Sequence, residues 1–350
     1  MFRKKLRVFL GGYLNYPNAQ NINCYSLAKH LDKSKFKIVA LSVYSRPNVK
    51  IKGVTIHRCA WPHSITVYWA YFWNIINADV VYLPKGELLA YNSFLCRLLK
   101  KKSFTTIEGI LDDTNIKKAE QSSGSKFLDY YHRLTKRYSI THFIRNYNQK
   151  RHHLISQSKA LELGVEATNF SVKEKAMSPL KNVVLIAGNF QKKGIDDYLT
   201  LASHFPSIKF HLIGEKTNLI SKKVKQNNLH NVEQHDYLSH KSFKNVLSKI
   251  QLHILPSRSE GFPKVILETA CAGIPSLVFD DYGASEWISN RKNGFVVNTV
   301  EEMKDIIDEL LQNDQLLLKT SKAAIELGHS FDWKHKINDW EEVILALYNE

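Results

Sequence analysis

Short apolar runs recur along the chain, each stopped by glycine, proline or a polar loop. Longer stretches with apolar positions three or four residues apart lie between them. In the first half the runs fall at 7–10, 38–43, 54–57, 79–83, 104–107 and 141–144 and predict strands. Helical periodicity separates them: first a helix whose buried side is marked by Ile22, Tyr25, Leu27, Ala28 and Leu31, then stretches around 65–77, 86–100, 125–138 and 147–163. Around 162–175 the pattern fades into a polar stretch that ends at Pro179. A second series of runs follows at 183–187, 208–213, 232–234, 252–255, 276–279 and 295–297. Strands alternating with helices predict an α/β fold, with a mostly parallel sheet covered on both faces in each half.

The stretch 252–275 carries the clearest signals. Leu252, Ile254 and Leu255 form an apolar run that Pro256 stops. After a polar loop, Gly261-Phe262-Pro263 opens a segment with Val265, Ile266, Leu267, Ala270 and Cys271 at helical spacing. Pro263 suits a helix start and Gly273 the position just past its end. The unit is strand, loop, helix, and it holds two carboxylates, Glu260 at the loop–helix junction and Glu268 on the helix. A helix N-terminus after a parallel strand is a natural seat for phosphate.

Charge divides the chain. Residues 1–172 hold 27 Lys+Arg against 10 Asp+Glu, and residues 173–350 hold 22 against 23, so the whole excess of +16 resides in the first half. That asymmetry points to an anionic partner such as a diphosphate, anionic lipid or nucleic acid, or to a solvated basic surface. Cys24, Cys59, Cys96 and Cys271 lack metal-site or disulfide spacing and read as small core residues in a reducing compartment. The apolar run after the first basic residues breaks at Gly11-Gly12, too short for a signal peptide, and no run approaches the roughly 18 residues of a membrane span. A cytoplasmic protein is expected, at most attached to the inner face of the cytoplasmic membrane.

Individual features carry candidate chemistry. Gly11-Gly12 after the first strand would let backbone approach a ligand closely, or simply make a tight turn. The run 104–107 delivers Glu108-Gly109 at a strand end, where an open sheet places ligand contacts. The run 183–187 ends in Gly188-Asn189 and continues to Lys193-Gly194, so Lys193 precedes a helix as a point charge for phosphate. Trp61, Tyr68, Trp69, Tyr71, Phe72 and Trp73 crowd into thirteen residues; such density suits a membrane interface, a lipid or sugar groove, or a buried helix. Lys100–Lys102 and Lys126, Lys136 and Arg137 supply charge for anionic headgroups.

The motifs Pro-Ser-Arg-Ser-Glu260-Gly-Phe-Pro and Ile-Leu-Glu268-Thr-Ala-Cys-Ala-Gly-Ile-Pro form a Glu-x7-Glu signature. They accompany a Gly-x5-Gly at 188–194, Tyr282-Gly-Ala-Ser-Glu286, and Lys292-Asn-Gly-Phe-Val-Val297. In this order the chain resembles the retaining GT-B glycosyltransferases of glycosyltransferase family 4. The resemblance implies two Rossmann-like doubly wound domains facing across a cleft, at 1–172 and 173–330, with a helix at 331–350 crossing back to the first. It implies transfer of a sugar from a nucleotide-sugar, a UDP-sugar ahead of a GDP-sugar, to a glycan or polyprenyl-diphosphate-linked acceptor in bacterial surface polysaccharide synthesis. No metal or further cofactor is implied.

By the same resemblance Glu268 would accept from the ribose hydroxyls, and Glu260 with Gly261, Phe262, Pro263, Lys264 and Val265 would meet the donor sugar and diphosphate. Lys193 would neutralise the leaving diphosphate, with Gly188 and Gly12 beside it. The family commonly has Gly-Arg where this chain has Gly188-Asn189, which leaves Lys192 or Arg258 to replace a missing cation. Many members also carry a histidine where Glu108 stands. Other classes stay open: a sugar-nucleotide epimerase would release free nucleotide with no acceptor glycosylated, and a glycoside hydrolase would need its carboxylates flanking the scissile bond. A nucleic-acid binder would lose affinity steeply with salt and have no use for Glu268; no nucleic-acid module appears, and no nucleic-acid partner is expected.

Overall fold

A computed structural model describes residues 5–350 except 114–115, 118–119, 122–126, 173–174, 176 and 215–216, with only the backbone of 240. Lys126 and residue 173, where the second domain is expected to begin, lie outside the described residues. The chain divides into two compact units, residues 1–163 with 333–350, and residues 164–332.

The first unit holds a six-stranded sheet of β1 (Leu6–Tyr13), β2 (Phe36–Val43), β3 (Val54–Cys59), β4 (Val80–Tyr82), β5 (Lys102–Ile107) and β6 (Lys136–Ser139), ordered β3-β2-β1-β4-β5-β6 and parallel throughout. Its helices are α1 (Ala19–His30), α2 (His63–Asn77), α3 (Leu89–Leu98), α4 (Phe127–Arg133) and α5 (His142–His152). The second unit repeats the plan after α6 (Ala167–Phe170). Its strands are β7 (Asn182–Ala187), β8 (Lys209–Gly214), β9 (Val232–His235), β10 (Leu252–Leu255), β11 (Ser276–Phe279) and β12 (Phe295–Val297), ordered β12-β11-β10-β7-β8-β9. Helices α7 (Ile195–His204), α8 (Asn218–Gln226), α9 (His240–Leu247), α10 (Lys264–Cys271), α11 (Val300–Gln312) and α12 (Asp314–Ser330) belong to this unit. The last helix, α13 (Trp333–Asn349), packs in the first unit, where buried Trp340 meets Tyr82 of β4 edge-on at 5.3 Å.

Both sheets thus have the doubly wound order in which the second half of the strands reverses direction across the sheet. Ligands of open α/β sheets bind where that reversal leaves a crevice at the strands' carboxyl ends. The reversal falls between β1 and β4 in the first unit and between β7 and β10 in the second.

Some sequence expectations need correction. β1 does not stop before a glycine turn; it runs through Gly11 and Gly12 to Tyr13, with an irregularity in its pairing to β2 between Leu10 and Tyr13. Ile22 and Tyr25 of α1 face outward, while Asn21 and Asn23 are buried because they have internal partners: Asn21 accepts from Tyr13 N and Asn23 donates to Glu108. The run 141–144 is a helix start, not a strand. Thr141 is extended, and its hydroxyl accepts from Ile144 N as an N-cap. The strand of that region is β6, which overlaps the end of the stretch expected to be helical. It forms the outer edge of its sheet, where Lys136 and Arg137 are tolerated and no apolar run is needed. All four cysteines are buried and unpaired.

Candidate functional site

The second unit's switch point is built by the loops that follow β7 and β10. After β7 the chain makes a single 3-10 turn at Gln191–Lys193, then Gly194 enters the left-handed region at φ +76° and α7 begins. A side chain at Gly194 would put its Cβ 1.9 Å from the Pro256 carbonyl oxygen, so only glycine lets this loop lie against the start of the β10 loop. The Ser257 hydroxyl donates to Lys192 O and reinforces the contact. This backbone apposition brings together two side chains 67 positions apart. Lys193 Nζ donates to Glu260 Oε1 and Oε2 at 2.6 and 2.5 Å, with the carboxylate buried and the ammonium partly open to solvent.

Helices α7 and α10 both start at this point, and neither has a side-chain cap; their N-cap residues are Gly194 and Pro263. Elsewhere in the unit the short α6 also lacks a side-chain cap, whereas α8, α9, α11 and α12 are capped by Thr217, Ser239, Thr299 and Asn313. Uncapped helix starts present backbone N–H groups and the positive end of the helix dipole, which favours an anion. Gly188 leaves room: a Cβ there would meet nothing nearer than Tyr237 Oη at 3.9 Å.

The remaining donor-side candidates divide. Gly261 and Phe262 lie in the β10–α10 loop, where the Phe262 ring packs against Trp287 and Phe331. Lys264 and Val265 open α10 after Pro263. Glu268 follows one turn after Lys264; burial pushes its carboxyl above the ordinary value, and the Lys264 charge opposes the shift. Asn189 shapes its own loop by accepting from Lys192 N. Arg258 is engaged by Asp281 Oδ2 and Asn298 O, both at 2.9 Å, and its guanidinium stacks 3.5 Å from the Phe279 ring centre. Tyr282, which opens the Tyr282-Gly-Ala-Ser-Glu286 motif, is fully buried, and its hydroxyl has no hydrogen-bond partner among the described residues. Burial and then the Glu260 charge raise its pKa.

The first unit has its own cavity at the β1/β4 switch point. It measures about 380 Å³ and is lined by Gly11, Tyr13, Tyr44, His63, Lys85 and Glu87 among others. Tyr13 Oη donates to Glu87 Oε2 at 2.6 Å, and His63 Nε2 lies 3.3 Å from the same oxygen. Burial, with Tyr71 and Glu87 nearby, pushes the Tyr13 phenol far up. A sequence signal for this cavity existed, since Tyr13 follows the glycine pair and Glu87 is one of few acidic residues in the first half. Gly12 has a packing role here: a Cβ would fall 2.6 Å from Cys24 Sγ, so the glycine sets how closely α1 approaches β1. Glu108 follows β5 and is held by Asn23 Nδ2 at 3.2 Å and by the Thr106 hydroxyl at 3.0 Å.

For a metal, the described residues offer His211, Glu233 and His235, whose donor atoms lie within 4.8 Å of one another on β8 and β9, beside the sheet edge. Protein groups already satisfy this trio. His211 Nδ1 lies 3.0 Å from His235 Nε2, its Nε2 lies 3.1 Å from Asn182 Oδ1, and Glu233 pairs with Lys209. Burial holds His211 down to about 4, so its ring is neutral at physiological pH.

Residues 167–327 match the family model described as Glycosyl transferases group 1. Among curated relatives, the chain is 30% identical over 161 residues to an uncharacterized glycosyltransferase of Methanocaldococcus jannaschii, covering 44% of this chain and 45% of that protein. It is 25% identical over 212 residues to the alpha-galactosylglucosyldiacylglycerol synthase of Streptococcus pneumoniae, covering 58% and 54%. The chain thus spans about half the length of these relatives. Among solved structures, HepE of Anabaena in complex with UDP and glucose superposes with a TM-score of 0.75 at 12% identity, over 97% of this chain and 100% of HepE. The chain therefore has the fold of the GT-B glycosyltransferases, and nearly all of its second unit carries the Glycosyl transferases group 1 match.

Proposed function

We propose that the chain is a retaining, family 4-type glycosyltransferase that moves a hexosyl unit from a nucleotide-sugar to a glycan or polyprenyl-diphosphate-linked acceptor. The observation that carries this reading is the Lys193–Glu260 pair, set between two helix starts without side-chain caps at the switch point of the second sheet. The leaving diphosphate gains negative charge as the bond between the sugar's anomeric carbon and the phosphate oxygen breaks and the acceptor oxygen takes its place on that carbon. A lysine and two helix dipoles aimed at that charge lower the barrier without a covalent nucleophile. Glu260 then orients the ammonium and offers its carboxylate to the donor sugar's hydroxyls, and Glu268 accepts from the ribose. The first unit's aromatic cavity, with Glu87 and His63, suits a saccharide acceptor; Glu108 supplies a carboxylate where related enzymes have histidine. The name of the Streptococcus pneumoniae relative, an alpha-galactosylglucosyldiacylglycerol synthase, supports a lipid-borne acceptor; a role in bacterial surface polysaccharide synthesis on the cytoplasmic side of the membrane is part of the same proposal.

Thermal melting with and without nucleotide tests the donor site. UDP at 100 times its Kd stabilises the native state by about 2.7 kcal/mol, or roughly 5–10 °C for a unit of this size. A midpoint unmoved by UDP, GDP and their sugar conjugates would remove the reading.

Glu268 gives a second prediction. Because its folded-state pKa is raised, the unfolded chain releases this proton more easily than the folded protein does. The penalty on folding is absent below the unfolded value, grows as pH rises through the gap, and is complete above the folded pKa. Glu268→Gln is therefore expected to melt higher than wild type at pH 7, with the difference vanishing below pH ~4. The same variant should lose most of the nucleotide-induced shift. Parallel melting curves for the two proteins across pH would refute the burial argument.

A further inference from the structure

We propose that the outward faces of α2 and α3 seat this protein on an anionic lipid bilayer. α2 contains no Asp, Glu, Lys or Arg, yet it carries two apolar stripes. Val67, Tyr71 and Ile75 face the core, while Ile65, Tyr68, Trp69, Trp73 and Ile76 are exposed. Trp69 and Trp73 leave 67% and 58% of their surface open. The exposed positions repeat at three- and four-residue spacing, so they form one continuous outer stripe. Tyr68 meets Tyr91 of α3 edge-on at 4.9 Å, and α3 extends the face with exposed Phe94 and Leu98. A soluble surface seldom leaves so much contiguous aromatic area open to water.

Charge identifies the occupant. Arg97, Lys100, Lys101 and Lys102 gather where α2 and α3 end, and the Lys101 ammonium donates to Ile76 O and Ala78 O at the end of α2. The acidic residues between positions 58 and 102 are Asp79 and Glu87, and both are engaged away from the stripe. Asp79 accepts from Arg7 N, and Glu87 accepts from Tyr13 in the cavity. A charge-free aromatic stripe with cations at one end matches the interface of an anionic membrane, where tryptophan and tyrosine sit at headgroup depth and lysines meet lipid phosphate. At 15 residues α2 is about 22 Å long, short of a ~30 Å hydrocarbon core, so it would lie in the interface plane. His63 at the start of α2 also lines the first unit's cavity. A membrane-seated α2 would hold that cavity beside the lipid surface.

This seat stands apart from the donor site and is tested without it. Flotation of the full chain with phosphatidylcholine vesicles and with 70:30 phosphatidylcholine:phosphatidylglycerol vesicles should show binding to the second that weakens with salt. Trp69→Ser/Trp73→Ser should bind at least tenfold less, with melting and circular dichroism showing an intact fold. Arg97→Gln/Lys100→Asn should lose about fivefold per charge removed. Lys193→Ala, placed in the donor site, should float like wild type. Absent binding, equal binding to both vesicles, or unchanged binding by the tryptophan variant would overturn the proposal. So would sedimentation showing that this face instead joins two copies of the chain.

Discussion

Lys193→Ala is expected to lower sugar transfer by 10²–10³-fold, the usual cost of removing one donor aimed at developing charge. Measured as turnover at saturating donor, that loss separates charge stabilisation from simple binding. The variant also leaves the buried Glu260 carboxylate without its partner, which costs about 1–3 kcal/mol. A combined variant resolves the two effects. Lys193→Ala/Glu260→Gln removes the orphaned charge, so it should recover most of the melting temperature and none of the turnover. Recovery of turnover by the double variant, or wild-type turnover in the single one, would show that the pair is structural alone.

Gly194→Ala is expected to destabilise the second unit strongly and to take the site with it. The position is left-handed, which costs an alanine about 1–2 kcal/mol, and the new Cβ would lie 1.9 Å from the Pro256 carbonyl oxygen. The two loops must separate, and since no flexible side chain can yield, the total should exceed about 3 kcal/mol. A melting temperature lower by roughly 10 °C should accompany loss of the nucleotide-induced shift, because Lys193 and Glu260 part when the loops do. Melting of the variant within a degree of wild type would contradict the geometry.

The fold and half of the site were legible because they rest on local signals. The apolar runs at 252–255, 276–279 and 295–297 coincide with β10, β11 and β12, since buried parallel strands are continuous apolar runs bounded by loops. The expectations that failed lie where periodicity is not the deciding force. β6 is an edge strand rich in charge, and Thr141 mimics a strand residue while capping a helix. On α1, the bonds that Asn21 accepts from Tyr13 N and Asn23 donates to Glu108 outrank the apolarity of Ile22 and Tyr25 in choosing the buried side. The aromatic stretch was ambiguous for a related reason. Composition shows how many rings there are, but only packing shows which of them remain outside.

By itself the sequence determined the alternation of strand and helix, the strand–loop–helix of 252–275 with its two carboxylates, and the placement of positive charge in the first half. Each is a property of neighbouring residues or of composition. The tertiary structure alone decided that β7 lies beside β10, that Gly194 fits against Pro256, and that Lys193 therefore meets Glu260. It alone also turned Trp69 and Trp73 outward. Strand order and side-chain exposure depend on which distant surfaces exclude water together, and no local pattern of residues records that choice.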